Sequence, residues 1–224
     1  PNALHIWPRG KFMLIALPNT DKSFTCTLFL PIESNISFSA LSTPKSVIDF
    51  FSKYFEEVLP LLDNFPNLFF QNPTGKLATI YADHWQYNNK YCLVGDAAHA
   101  VVPFFGQGMN ASFEDCEVFM MCLDKAQGNW EAVYNKYSTM RRSDGHAIAD
   151  MAIENYVEMR DLVTKKEFLN TKKISNILFE KFPKRFIPRY NMVSFTSIPY
   201  SEVYRRGEIQ VEIIKQINPE DPDM

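Results

Sequence analysis

The sequence predicts an α+β protein, with an antiparallel or mixed sheet, one strand-and-helix segment in the middle and a helical final third. Three observations predict it. Short β-branched and aromatic runs broken by turn residues fill positions 4–30, apolar residues recur at helical spacing over 44–59 and again from Gly108 onward, and a short apolar run at 91–94 ends in Gly95-Asp96. The expected organisation is a sheet and helix over 1–90, a strand–turn–helix segment over 91–126, and a helical subdomain over 127–224.

The elements follow in order. Residues 4–7, 11–17 and 23–30 read as strands of an antiparallel meander, separated by Pro8-Arg9-Gly10 and by the turn-forming run 18–22. Alternation places Met13, Ile15 and Leu17 on one face and Phe12, Leu14 and Ala16 on the other. Both faces are apolar, so both must be covered, and one can line a ligand pocket. Thr43-Pro44 offers an N-cap followed by proline at the first helical position, and Val47, Phe50, Phe51, Tyr54, Phe55 and Val58 continue at helical spacing. That predicts a helix over 44–59. Residues 67–71 and 76–81 read as further strands, and 91–94 as a buried one. Helices are expected over 108–126, 129–163, 165–181 and 200–217, the second broken near Asp144-Gly145. The acidic, proline-containing run 218–224 is expected to fray.

Charge and composition exclude several functions. Of 224 residues, 23 are Lys or Arg and 26 are Asp or Glu, for a formal charge of −3 with no basic block, which argues against nucleic acid as a partner. The longest apolar runs have six residues, far from the roughly 20 that span a bilayer. Cys26, Cys92, Cys116 and Cys122 lie in apolar stretches without CxxC spacing, as buried reduced thiols of a cytoplasmic protein would. His5, His84, His99 and His146 are scattered, no metal site is expected, and His99 reads as structural. Arg141-Arg142 and Lys172-Lys173 read as solvated helix faces. The first residues enter a strand without an initiator Met or a signal sequence, so a fragment of a longer chain is expected.

Chemistry concentrates in residues 91–116. A strand delivers Asp96, whose carboxylate can accept hydrogen bonds from sugar hydroxyls, and a Gly-rich turn then opens a helix whose first N–H groups and dipole favour negative charge. Gly106-x-Gly108-x-x-Ala111 matches a permissive dinucleotide pattern, but the run from Ala97 to Phe105, with Pro103 in it, separates it from the strand. It is therefore not read as a βαβ phosphate fingerprint.

Gly95-Asp96-Ala97-Ala98-His99, followed by Pro103, Gly106, Gly108 and Asn110, resembles the second FAD motif of the class A flavoprotein aromatic monooxygenases. Within them, LHIWPR at 4–9, FMLIALP at 12–18, SFTCTLF at 23–29, PFFGQGMN at 103–110, NYVEMR at 155–160 and FIPRY at 186–190 resemble the kynurenine 3-monooxygenase family. The resemblance covers nearly the whole chain. It implies FAD contacts by Gly95, Asp96, Pro103, Gly106, Gln107, Gly108, Met109 and Asn110. It further implies that Asn155 and Tyr190 meet the amino-acid end of L-kynurenine and that Phe104 and Phe105 close over the aromatic ring, and the i, i+3, i+4 spacing of Asn155, Glu158 and Met159 puts these three on one helix face. Leu4, Met13, Ile15, Leu17 and Phe29 would form the sheet wall. Glu158 is equally well placed to pair with a neighbouring arginine.

The implied activity is hydroxylation of L-kynurenine to 3-hydroxy-L-kynurenine, with NADPH as reductant and O2 as oxygen donor. The family's first dinucleotide turn and its carboxylate-binding Arg and Tyr are not found in these residues, so the chain resembles a C-terminal part, inactive alone. Hydroxylation of a different aromatic acid, or survival as a non-catalytic interaction module, stays open. Flavin content and turnover separate these readings.

Overall fold

The computed structural model describes residues 2–163 and 165–217; the run 218–224, expected to fray, lies outside them. The chain divides into two compact units, Pro1–Lys76 with Glu158–Thr164, and Leu77–Val157 with Lys165–Met224. Within the second unit the long helix after residue 126 buries part of its apolar face on the segment before it.

The first unit is a three-stranded antiparallel meander, β1 (His5–Pro8), β2 (Met13–Pro18) and β3 (Phe24–Phe29), in the order β1-β2-β3. Ile6 faces Ile15, and Ala16 faces Cys26. As the alternation requires, Phe12 to Ala16 are all buried, whereas Leu17 is exposed at the strand end. Helix α1 (Pro44–Tyr54) lays Val47, Phe50 and Phe51 on the side bearing Phe12 and Leu14. Phe12 and Phe50 meet with ring centroids 5.5 Å apart.

The α1 start is a full capping box: Thr43 Oγ1 accepts from Ser46 N–H at 3.1 Å, and Ser46 Oγ accepts from Thr43 N–H at 3.1 Å. Thr43→Ala is expected to lower stability by about 1 kcal/mol, read as a lower urea midpoint at unchanged m-value. The helix stops at Tyr54 rather than 59, because Phe55 leaves the helical region with φ −141°. Arg9 caps the released end, its Nε donating to the Tyr54 carbonyl at 2.7 Å. Residues 67–71, expected as a strand, form the short helix α2 (Asn67–Gln71).

In the second unit, residues 77–81 are not a ladder strand, although Ile80 and Ala82 N–H donate to the Ala100 and Ala98 carbonyls. The expected buried strand at 91–94 shrinks to β5 (Tyr91–Cys92), paired antiparallel with β4 (Gln86–Tyr87) and exposed at Tyr91. Both sheets are antiparallel, and no mixed sheet occurs among the described residues. Helix α3 (Asp96–His99) follows, then α4 (Gly108–Ala126), α5 (Trp130–Val157), α6 (Lys166–Lys181), α7 (Arg189–Phe195) and α8 (Tyr200–Gln216).

Helix α5 is the spine of this unit, packing against α3, α4, α8 and the 3-10 turn Pro103–Phe105. It runs unbroken through Asp144-Gly145. Both residues are there for tertiary reasons: Asp144 Oδ1 accepts from Ser201 N–H and Oγ–H at 2.9 and 2.6 Å, capping α8 from outside. At Gly145 a Cβ would lie 2.8 Å from the buried Trp85 ring. The α-helix ends at Val157, and Glu158–Leu162 is a π-helical turn. The i, i+3, i+4 spacing that put Asn155, Glu158 and Met159 on one face therefore does not carry past Val157.

Candidate flavin site

The second unit contains both halves of the predicted FAD motif. Gly95 takes φ +62° and ψ −141°, a backbone open to glycine, and so turns Asp96 outward as the first, exposed residue of α3 rather than the end of a strand. Its carbonyl accepts from Ala98 and His99 N–H at 2.8 and 3.1 Å, closing the turn. Gly106 is left-handed at φ +66°, and open space surrounds the position its Cβ would take. Helix α4 then starts at Gly108 with Gln107 as its N-cap, whose side chain makes no cap hydrogen bond to the first turn. Pro103, Gly106, Met109 and Asn110 are exposed.

Gln107 organises this end: its Oε1 accepts from Asn110 Nδ2 at 3.0 Å and from the Tyr200 hydroxyl at 3.1 Å. Burial, with Glu114 nearby, pushes that hydroxyl up to about 12, so it remains a donor. An uncapped helix start, a glycine with room above it and an outward carboxylate fit the anionic edge and hydroxyls of a flavin nucleotide.

The predicted substrate residues divide. Asn155 Nδ2 donates to the Phe104 carbonyl at 2.8 Å, and the Tyr190 ring stacks on Phe105 with centroids 5.8 Å apart. These two residues, 35 apart in sequence, thus reach consecutive residues of one turn. Phe104 itself stacks on Tyr156 at 4.3 Å. Glu158 and Met159 belong to the first unit, as do Leu4, Met13, Ile15, Leu17 and Phe29. Met13 and Ile15 are buried, Leu4 and Leu17 are half exposed, and Phe29 lies between.

Two expectations are corrected. Arg141 is not on a solvated face: its side chain is 2% exposed, with Nε on Asp115 Oδ1 at 2.7 Å and Nη1 3.0 Å from Glu114 and 3.2 Å from Asp144. The reason is that α5 turns this side toward α4. Nor are all four cysteines buried: they are free, but Cys26 and Cys116 are exposed, one in the outer strand β3 and the other on the open side of α4. Burial, with the Asp115 carboxylate close by, pushes the Cys92 thiol up to about 11, so it is no nucleophile at neutral pH.

His99 is buried beneath Trp85, their rings stacked at 5.2 Å, and faces Asp115, a carboxylate that sequence spacing did not connect to it. The only local signal for Asp115 is its position seven residues after Gly108, on the same side of the helix. Among the described residues no group of His, Cys, Asp and Glu is placed to hold a metal ion, and no helix is long and apolar enough to cross a membrane.

A family profile described as an FAD binding domain matches residues 63–152. The chain is 45% identical over 217 residues to a kynurenine 3-monooxygenase of Myxococcus xanthus, covering 97% of this chain and 47% of that protein. For the Cytophaga hutchinsonii protein of the same name the figures are 46% identity, 96% and 48%, and for that of Dictyostelium discoideum 44%, 96% and 50%. The chain thus spans about half the length of the curated relatives it matches. Over nearly all of its own residues the chain is similar to kynurenine 3-monooxygenases, and its central part matches the FAD binding domain profile.

Proposed function

We propose that this chain forms part of a cytoplasmic, class A flavoprotein monooxygenase that hydroxylates L-kynurenine to 3-hydroxy-L-kynurenine, with FAD as cofactor, NADPH as reductant and O2 as second substrate. The observation that carries the reading is the uncapped start of α4 at Gly108 in the same unit as the outward Asp96 turn, on a chain related to proteins of that activity. Bound FAD supplies the electron transfer and oxygen chemistry. The chain's own residues bind and orient. Asp96 accepts from hydroxyls of the nucleotide, the Gly108, Met109 and Asn110 N–H groups donate to the flavin edge, and Gly95, Pro103, Gly106 and Gln107 shape the two turns. Turnover requires the remaining half of the protein, and the chain alone is inactive.

For the substrate, Asn155 and Tyr190 take the amino-acid end of kynurenine, beside Phe104 and Phe105 over the ring. The two phenylalanines give this end of the site a mostly apolar lining. Such a lining excludes water from the reacting centre.

Tyr190→Phe and Asn155→Ala in the full-length protein are expected to lower kcat/KM for kynurenine about tenfold or more, because each leaves a polar ligand group unpaired at roughly 1–3 kcal/mol. FAD content should stay at one per chain. Kynurenine-dependent NADPH oxidation that both variants leave intact would overturn the substrate assignment, and a full-length protein purified without flavin would overturn the cofactor.

A further inference from the structure

Asp115 belongs to none of the motif positions, yet it is completely buried and divides its two oxygens between the motif and the helix core. Oδ2 accepts from Gly95 N–H at 3.0 Å and lies 2.5 Å from His99 Nε2, while Oδ1 accepts from Arg141 Nε at 2.7 Å. Burial opposes its charge, but the hydrogen bonds from His99 and Arg141 hold its carboxyl below the usual carboxylate range. An ionised carboxylate only accepts, so the facing His99 nitrogen carries a proton. The first and last residues of the Gly95–His99 turn are therefore tied to one side chain.

That side chain sits on α4, two helical turns beyond Gly108, on a rod with a fixed rise of about 1.5 Å per residue. The turn that presents Asp96 and the helix start at Gly108–Asn110 are thereby joined through a single group. Arg141 fixes the group from behind, and its Nη2 reaches the Ala111 carbonyl at 3.4 Å, one turn past the helix start. We infer that Asp115 is a positioning residue for the flavin nucleotide, setting the separation between the Asp96 turn and the α4 start. This rests on the FAD reading above. Apolar packing could hold the two elements together as firmly. It could not orient the Gly95 N–H, and with it the outward direction of Asp96.

The test uses the full-length protein. Asp115→Asn replaces an acceptor oxygen with a donor facing other donors, whereas Asp144→Asn disturbs the same buried network on the side of α8, away from the turn. FAD dissociation constants, apo-protein Tm and the visible circular dichroism of bound flavin at saturating FAD are measured for each. Asp115→Asn should weaken FAD tenfold or more and alter the bound-flavin spectrum, while Asp144→Asn lowers Tm with FAD affinity within twofold and an unchanged spectrum. If Asp115→Asn does not fold, His99→Leu and His99→Gln decide: Leu, lacking the donor, should weaken FAD at least fivefold, and Gln, keeping one, should restore it to within twofold. FAD affinity that follows Tm alike in the Asp115 and Asp144 variants, with the same spectrum at saturation, overturns the inference, as does equal FAD binding by the two His99 variants. A wild-type full-length protein that takes up no FAD defeats the FAD reading itself, before any variant is made.

Discussion

Arg141→Ala is expected to cost about 3–5 kcal/mol of unfolding free energy, the range for removing one partner of a buried ion pair. The guanidinium lies between the carboxylates of Asp115 and Asp144, both buried, with the half-exposed Glu114 beside them. Truncation leaves two acids in a dry site without a countercharge. The cost is one of uncompensated charge, so Arg141→Ala should suffer more than a variant that also neutralises Asp115. A urea titration of the single and double variants, as a double-mutant cycle, reads the coupling directly. Additive losses would refute it. The same group predicts the acid limb of stability. Because the Asp115 carboxyl is lowered in the folded state, its contribution is complete above the ordinary carboxylate pKa and is lost as pH falls through its lowered value. Between pH 5 and 8 this group should leave the urea midpoint unchanged.

Trp85→Ala is expected to cost a similar amount, about 3–5 kcal/mol, by the cavity left when a large ring is removed from a packed core. Trp85 is 1% exposed, stacks on His99, meets Tyr137 at 5.8 Å, and donates from Nε1 to the Ala82 carbonyl at 3.0 Å. Its ring presses against Gly145 of α5, which admits it only because no Cβ is there. Trp85→Phe keeps most of the volume but drops the hydrogen bond, and should lose less than half as much. Thermal denaturation ranks the pair. Equal losses would place the contribution in the indole N–H rather than in packing.

How much of this was legible beforehand depends on whether the determining contact is local. The meander, the Thr43 cap and the start of α4 at Gly108 follow from neighbours in sequence, and each was readable from spacing and turn chemistry. Residues 67–71 misled, because the aromatic run Leu68-Phe69-Phe70 suits a strand as well as a single helical turn and only its surroundings decide. Asp144-Gly145 misled for the opposite reason: a local helix breaker is kept inside a helix by what it touches elsewhere, the α8 start and the Trp85 ring. The FAD motif was legible as a resemblance. Its support was not, since His99, Asp115 and Arg141 lie on three elements and no period connects them. Arg141 looked like half of a charge pair with Arg142, and nothing along the chain separates the buried arginine from the exposed one.

The composition of the first unit has a consequence for synthesis on the ribosome. That unit consists of residues up to Lys76 together with Glu158–Thr164, and β1 contacts the π-helical turn Glu158–Leu162. When the sheet leaves the exit tunnel, one of its packing partners has not yet been translated. The intervening stretch, Leu77–Val157, takes about 4–16 s to make at the usual ~5–20 residues per second. Throughout that interval β1 lacks the contacts it makes with that turn, so the first unit is completed only after Leu77–Val157 has been made.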